Sequence, residues 1–348
     1  MERHMALMCR FQRDWAEVEA LTCSRTAHTR VVDRDGTKVT EAGEWGRVQS
    51  APLSPGFPML LRRLAGDVNV VHVPNPTAEV AWLLARPRGK LVVRYQSDVV
   101  RQASAMRVYG PVQMHFLRKA DIILVASEQY LETSSTLQGL RDRCVVVPLG
   151  ILPEEFANPD PARVAALREA YGGPFVLFSG RHRYYKGIEY LVRAAKDIRA
   201  TVVAAGEGPE RVRCEALARE TGADVRFPGE LSHEELVNHL HACEVFAFPS
   251  CERSEAYGIS MLEAQSCGKP VVATKLGTGV EFVNLDGQTG LNVPPKDPGA
   301  LAEAINALLD DAATRQRMGE FARQRILAEF HAERIARREF ELYRGVLG

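Results

Sequence analysis

The sequence predicts an α/β protein of two domains, each a parallel β-sheet covered by helices, on three observations. The chain has 348 residues, more than one ordinary core holds and enough for two domains of roughly 150 to 180 residues each. From Phe175 onward, short β-rich runs alternate with helical patterns, the order that produces parallel strands with helical crossovers. The runs are also nearly continuous hydrophobics, as strands buried on both faces require.

In the first half, "VNVVHV" reads as a strand that enters a helix after Asn75 and Pro76, and "GKLVVRY", "ADIILVAS" and "CVVVPLG" read as later strands of one sheet. Upstream, "DRDG" (Asp33 to Gly36) lies between "TRVV" and "TKVTEAG", where Asp-Gly marks a hairpin turn. The proline-bearing segment "ILPEEFANPDPARVAALREAYGGP" places a domain boundary near Tyr171 to Pro174, giving domains 1–172 and 173–330. In the second domain "FVLFSG", "TVVAAG", "VRFPG", "VFAFPS" and "PVVAT" alternate with helices. Ser232 with Glu235 forms a capping box before "ELVNHL", and Asp297 followed by Pro298 starts "GALAEAINALL". Residues 331–348, "HAERIARREFELYRGVLG", form a separate helix.

Lysine plus arginine and aspartate plus glutamate both total 44, so no basic excess points to nucleic acid. The seven cysteines form no CxxC pair and the nine histidines do not cluster, so no metal and no cofactor is expected. His72, after "VNVV", is a strand-end histidine for which a satisfied core position is the commoner case. No apolar run approaches the roughly 20 residues of a membrane-spanning helix. The expected location is the cytoplasm, with the inner face of the cell membrane as a second possibility. Basic residues beside apolar ones in "RRLAGD" and "HFLRKAD" leave peripheral membrane contact open, although a solvated amphipathic face is the simpler reading.

The stretch "FSGRHRYYKG" ends a strand at Ser179, turns at Gly180 and offers Arg181 and Lys186 before a helix opens near Gly187. Two cations beside the carboxyl end of parallel strands suit a diphosphate. In "SEAYGISMLEA", Gly258 and Ile259 begin a helix whose first amides have no intrahelical partner and can donate to phosphate oxygens. Glu255 precedes this helix and Glu263 lies inside it, so each carboxylate can reach a different end of one ligand. A carboxylate accepts two hydrogen bonds from vicinal hydroxyls. One glutamate for a ribose and one for a hexose would bracket a diphosphate, and the ligand so described is a nucleotide-diphosphate sugar. "GEGPER" also follows a strand, but Pro209 and a missing third glycine argue against a dinucleotide fingerprint.

Together, "SGRHRYYKG", "GEGPE", "FPGEL", "EVFAFPSCERSEAYGISMLEAQSCGKPVVAT" and "GQTGLNVPPKDP" resemble the retaining glycosyltransferases of family 4. The resemblance is strongest from Phe175 to Ala307, and "KLGTGVEFVN" looks most like bacterial enzymes of surface-polysaccharide synthesis with mannosyl or rhamnosyl donors. It implies the GT-B fold: two Rossmann-like domains facing across a cleft, an acceptor-side N-terminal domain, a donor-binding C-terminal domain, and a last helix that returns to the first domain. It implies a metal-independent, retaining transfer of a hexose from a donor such as GDP-mannose or a UDP-hexose to a hydroxyl of a saccharide or lipid-linked saccharide. By the same resemblance Glu255 contacts the donor sugar and Glu263 the ribose. Arg181 and Lys186 neutralise the diphosphate, with Glu255, Gln96, Arg181 and Lys186 forming the catalytic set. Gly180, Tyr257, Gly258 and Ile259 line the donor, and Leu231 touches the base.

Two departures stand out. Before Ser97 and Asp98, which with Gln96 make the acceptor side, the family usually has a histidine; here Gln96 can hydrogen-bond but cannot titrate. Asp98 could equally cap a helix. "MERHMALMCRFQRDWAEVEALTC" resembles the family's first helix, so its first strand and glycine-rich loop are expected to be missing. The rival reading is therefore a nucleotide-sugar-binding protein with impaired or no transferase activity. A third keeps the fold for an epimerase, and nothing supports the pyridoxal site of a phosphorylase.

Overall fold

The computed structural model describes residues 2–48, 51–98 and 103–348. The chain divides into two compact units, Met1–Leu149 with Ala332–Gly348, and Gly150–His331. In the first, α1 (Glu2–Gln12) leads to β1 (Glu19–Cys23), β2 (Arg30–Arg34) and β3 (Thr37–Ala42). They pair in the order β1-β3-β2, β1 parallel and β2 antiparallel to β3. The turn between β2 and β3 is made by Asp35 and Gly36 with φ of 51° and 76°, and the Asp33 carboxylate accepts the Gly36 amide at 2.9 Å. The Asp-x-Asp of "DRDG" is thus a hairpin turn.

A short hairpin of β4 (Gly46–Val48) and β5 (Ala51–Leu53) precedes α2 (Phe57–Leu64). After it come β6 (Val68–Val73), α3 (Pro76–Ala85), β7 (Lys90–Tyr95), α4 (Ala103–Leu117), β8 (Ile122–Val125), α5 (Glu128–Thr133) and β9 (Cys144–Val146). These strands form a four-stranded parallel sheet in the order β6-β7-β8-β9. Asn75 caps α3, accepting the Ala78 amide at 3.2 Å, with Pro76 in its first turn. Among the described residues the first unit therefore holds three sheets, the β4–β5 hairpin being the smallest, and β1 and β6 each pair on one side only.

The second unit contains α6 (Pro161–Ala170), β10 (Phe175–Ser179), α7 (Ile188–Ala195), β11 (Thr201–Ala205), α8 (Arg211–Thr221), β12 (Val225–Arg226), α9 (His233–Ala242) and β13 (Val245–Phe248). It continues through α10 (Ile259–Ser266), β14 (Val271–Thr274), α11 (Gly279–Val283), β15 (Gly290–Val293), α12 (Pro298–Asp310) and α13 (Ala312–Glu329). All six strands are parallel, in the order β12-β11-β10-β13-β14-β15. Every residue of β11, β13 and β14 is buried, as the unbroken apolar runs require of strands covered on both faces. Ser232 caps α9 and Asp297 caps α12. The sequence placed residues 150–172 in the first domain. They belong to the second unit because α9 holds them: the Asp160 amide donates to the Asn238 side chain at 2.8 Å, and the His241 imidazole meets the Phe156 carbonyl at 2.7 Å.

The last helix, α14 (Ala332–Gly345), belongs to the first unit. Ile335, Ala336 and Tyr343 join Met8 of α1 and Val92, Leu124 and Val147 in one apolar cluster. A buried ion pair crosses this layer. Arg94 Nη1 on β7 lies 3.3 Å from Glu339 Oε1 on α14, both residues almost fully enclosed, and Arg94 Nη2 donates to the Pro148 carbonyl at 3.0 Å. His4 Nε2 of α1 lies 3.5 Å from the same carboxylate, which also accepts the Tyr343 hydroxyl at 2.8 Å. Burial pushes the Glu339 carboxyl up, but Arg94, His4 and Tyr343 outweigh it and hold it at about 2. Burial pushes His4 below its ordinary value, so its imidazole is neutral.

Breaking such a pair from one side leaves a charge stranded in the core. Arg94→Met or Glu339→Leu alone should cost about 3–5 kcal/mol, whereas the two together should recover most of it, as urea denaturation will measure. The pH dependence has a definite sign. Glu339 has a folded pKa below its ordinary 4.5, so its contribution is complete above 4.5 and is lost as pH falls toward about 2. His4, also lowered, resists protonation below 6.5 and adds to the same loss. Unfolding midpoints should fall on acidification from pH 7, less steeply in the double variant.

Candidate active site

The order of strands in the second unit reverses between β10 and β13, which pair with each other while their chain neighbours run outward on either side. A crevice outside the carboxyl ends of two such strands is where open α/β sheets take ligands. The loops that enter it are residues 180–187 after β10 and 249–258 after β13. They are the two stretches on which the sequence concentrates its candidate residues.

Two further loops support this edge. A Cβ on Gly206, which has a φ of +124°, would lie 2.0 Å from the Gly180 carbonyl oxygen, so only glycine allows the "GEG" loop to press against the Arg181 loop. The Gly206 amide donates to Gly229 at 2.7 Å, which draws in "FPGE" and, two residues on, the half-buried Leu231. The His182 amide donates to the Glu207 carbonyl at 2.8 Å, and the imidazole is buried between Phe178 and Phe227. "GEGPE" thus braces the crevice.

Within it, Lys186 Nζ lies 2.6 Å from Glu255 Oε2, with side chains 14% and 10% exposed, and 5.1 Å above the centre of the Phe248 ring. Burial alone would push the ammonium down, but Glu255, with a smaller push from Glu263, holds it above its ordinary value and charged. Glu255 is fixed in turn: Ser250 Oγ donates to Oε2 at 3.0 Å, and Thr278 Oγ1 donates to its backbone carbonyl at 2.9 Å. Ser250 and Thr278 were not singled out from the sequence. The serine ending "VFAFPS" at the carboxyl end of a buried strand was the available signal, whereas Thr278 lies 23 residues downstream of Glu255 and carried none.

Gly258 is the N-cap of α10, with φ +90° and no side-chain capping bond, so the first-turn amides beginning at Ile259 are presented without a capping group. A Cβ at Gly258 would lie 2.5 Å from Met261 and 2.9 Å from Phe248. The glycine is thus required by packing beneath the helix start as well as by its left-handed backbone. Tyr257 is buried and packs on Phe282, and Glu263 is buried one turn into α10. Arg181 is exposed on its loop. This edge offers an ammonium, a guanidinium, helix-start amides and two carboxylates, a set that can hold an anion at its centre and hydroxyls at its ends.

The acceptor-side candidates lie in the first unit, after β7. Gln96 Nε2 meets His72 Nδ1 at 3.2 Å. His72 is only partly buried at the surface, but it is pushed down mainly by burial and then by His4, so it stays neutral. Ser97 is half-buried. The Asp98 carboxylate accepts the hydroxyls of Tyr95 at 2.7 Å and Ser134 at 2.8 Å, which ties the end of β7 to the end of α5. Residues 99–102, where a helix capped by Asp98 would begin, lie outside the described residues. Among the described residues no group of three metal-ligating side chains occurs, and no helix is long and apolar enough to cross a membrane.

The model of the glycosyl transferases group 1 matches residues 163–325, and that of the glycosyl transferase 4-like domain matches residues 1–150. The chain is 34% identical to O-antigen chain mannosyltransferase C of Escherichia coli over 94% of its own length and 89% of that protein's. It is likewise 34% identical to D-rhamnosyltransferase WbpZ of Pseudomonas aeruginosa, over 95% and 88%. Among solved structures, sucrose-phosphate synthase from Thermosynechococcus elongatus superposes with a TM-score of 0.81 at 26% identity, covering 98% of this chain and 91% of that one. Anabaena HepE in complex with UDP and glucose shares the fold at 18% identity, with a TM-score of 0.80 over 99% and 95%. With both halves matched and one-third identity held over nearly its whole length, the chain belongs to the group 1, family 4-like glycosyltransferases of GT-B fold.

Proposed function

We propose that this glycosyltransferase moves a hexose, of the mannosyl or rhamnosyl type, from a nucleotide-diphosphate donor to a hydroxyl of a saccharide or lipid-linked saccharide in surface-polysaccharide synthesis. The observation that carries the reading is the charged Lys186–Glu255 pair beside the uncapped start of α10, at the point where the strand order reverses. The relatives named for mannosyl and rhamnosyl transfer support the sugar, and the O-antigen relative supports the pathway class. In this reading Lys186, Arg181 and the amides at Gly258 and Ile259 stabilise the departing diphosphate. Glu263 takes the ribose hydroxyls, Glu255 those of the sugar, and Leu231 lies against the base. The bond from the sugar's anomeric carbon to the diphosphate breaks as its bond to the acceptor oxygen forms on the same face, and the acceptor proton passes to the leaving phosphate. The positive charge comes from the chain itself, so transfer proceeds without a metal ion.

Thermal unfolding with GDP, UDP, ADP, dTDP and CDP, with and without a chelator, tests the donor site. One nucleotide at about 100 times its dissociation constant should stabilise the chain by about 2.7 kcal/mol, equally with chelator present. No shift with any of them contradicts the reading.

The two glutamates should separate kinetically. Glu263→Ala should weaken nucleotide binding by about 1.5–3 kcal/mol, the loss expected of hydrogen bonds to a charged group. Glu255→Gln should leave nucleotide affinity within a few-fold and lower kcat by about 100- to 1,000-fold. Titration calorimetry and initial rates check both, and unchanged affinity in Glu263→Ala overturns the ribose assignment.

A further inference from the structure

Gln96 stands where the resemblance places a histidine, so what it can do depends on which way its side-chain amide faces. His72 decides that direction. The two lie at the carboxyl ends of neighbouring parallel strands, β6 and β7, where His72 pairs in register with Arg94 and the Gln96 amide donates to the Val73 carbonyl at 3.0 Å. Register partners, and residues two apart in a strand, share a face. His72, Arg94 and Gln96 therefore stand on the side of the sheet that α1 and α14 cover.

Gln96 Nε2 lies 3.2 Å from His72 Nδ1. An amide nitrogen can only donate, so Nδ1 accepts, and the single proton of the neutral ring sits on Nε2. The ring is kept neutral because burial, and then His4, push it down to about 3. His4 packs edge-on against it with ring centres 6.0 Å apart, and His4 in turn meets the Arg94–Glu339 pair. The other half of the amide is left open. Gln96 Oε1 sits on the opposite branch of the same carbon and so turns away from His72. Gln96 is half-buried, and its side chain makes no other hydrogen bond among the described residues, whereas the Asp98 carboxylate is committed to Tyr95 and Ser134.

We propose that His72 is a positioning residue, which holds the Gln96 amide nitrogen and thereby presents Gln96 Oε1 to accept a hydrogen bond from a hydroxyl of the saccharide acceptor. The inference rests on the reading of Gln96 as an acceptor-side residue and adds what that side chain does there. Gln96 orients the hydroxyl without taking its proton, because an amide does not titrate, which leaves the proton to the departing phosphate. Were His72 to present an N–H at Nδ1 instead, the amide would turn over and offer the ligand a donor.

The test uses the full chain with GDP-mannose as donor and methyl α-mannoside as acceptor. Asparagine carries its side-chain polar atoms where histidine has Nδ1, and glutamine where it has Nε2. His72→Asn should therefore keep kcat/KM for the acceptor within about threefold of wild type, whereas His72→Gln and His72→Phe should each lower it at least about tenfold, the worth of one hydrogen bond. GDP affinity and unfolding temperature should stay unchanged in all three. Equal activity in wild type and every variant, or as large a loss in His72→Asn as in His72→Phe, overturns the proposal. Nitrogen–proton correlation spectra read the orientation separately, without donor. One Gln96 side-chain proton should be displaced downfield by its bond to His72, and should lose that displacement in His72→Phe but not in His72→Asn. Adding methyl α-mannoside should then move the Gln96 signals in wild type and not in His72→Phe. A His72 ring protonated on Nδ1, or Gln96 signals indifferent to His72→Phe or to the mannoside, overturns the proposal. Gln96 signals that respond as expected in a wild type that transfers no hexose uphold it, and contradict the transfer reading instead.

Discussion

A lysine ammonium held against aromatic rings away from water keeps its charge when a carboxylate stands beside it, and the second unit is built around that constraint. Lys186 lies over Phe248 and beside Tyr185, and its charge is kept by Glu255 at 2.6 Å. Glu255 in turn is set by Ser250 and Thr278, which bring the ends of β13 and β14 into the same small region. Gly258 completes it, because the turn that presents α10 must clear Phe248, the same ring that floors the ammonium. A diphosphate arriving at α10 would give Lys186 a second anion and leave Glu255 free to bond a sugar, so the Lys186–Glu255 pair is the one that a donor would rearrange.

The first unit obeys the same rule for a structural end. Arg94 sits in the middle of the parallel sheet with its charge turned to α14, and Glu339 answers it from a residue close to the end of the chain. His4 brings α1 to the same carboxylate, so helices from both ends of the described chain meet on one buried charge.

Much of the second unit was legible because its signals are local. Unbroken runs such as "TVVAA" and "VFAF", short, β-rich and alternating with helical patterns, read as doubly covered strands, and Ser232, Asp297 and Gly258 announce helix starts within their own few residues. Lys186 and Glu255 were found by residue type and by resemblance, but their contact was not legible, since it depends on β10 and β13 becoming neighbours. The domain boundary was misplaced for a similar reason. Prolines mark where regular structure stops, whereas residues 150–172 are assigned by bonds from Asn238 and His241, some eighty residues away. "GEGPE" was weighed as a fingerprint and set aside, and its actual use, a glycine clearing the Gly180 carbonyl, becomes visible only when the two loops are seen against each other. The Arg94–Glu339 pair joins residues 245 positions apart and left no trace in either segment.

The central claim is that the start of α10, with Lys186 and Glu255, receives the donor's diphosphate. A crystal structure of the chain with the nucleotide diphosphate that stabilises it tests this most directly. The account predicts diphosphate oxygens within hydrogen-bond distance of the Gly258 and Ile259 amides and of Lys186 Nζ, with the ribose hydroxyls on Glu263. A nucleotide bound elsewhere on the second unit, with Lys186 and Glu255 still paired and α10 empty, would contradict it.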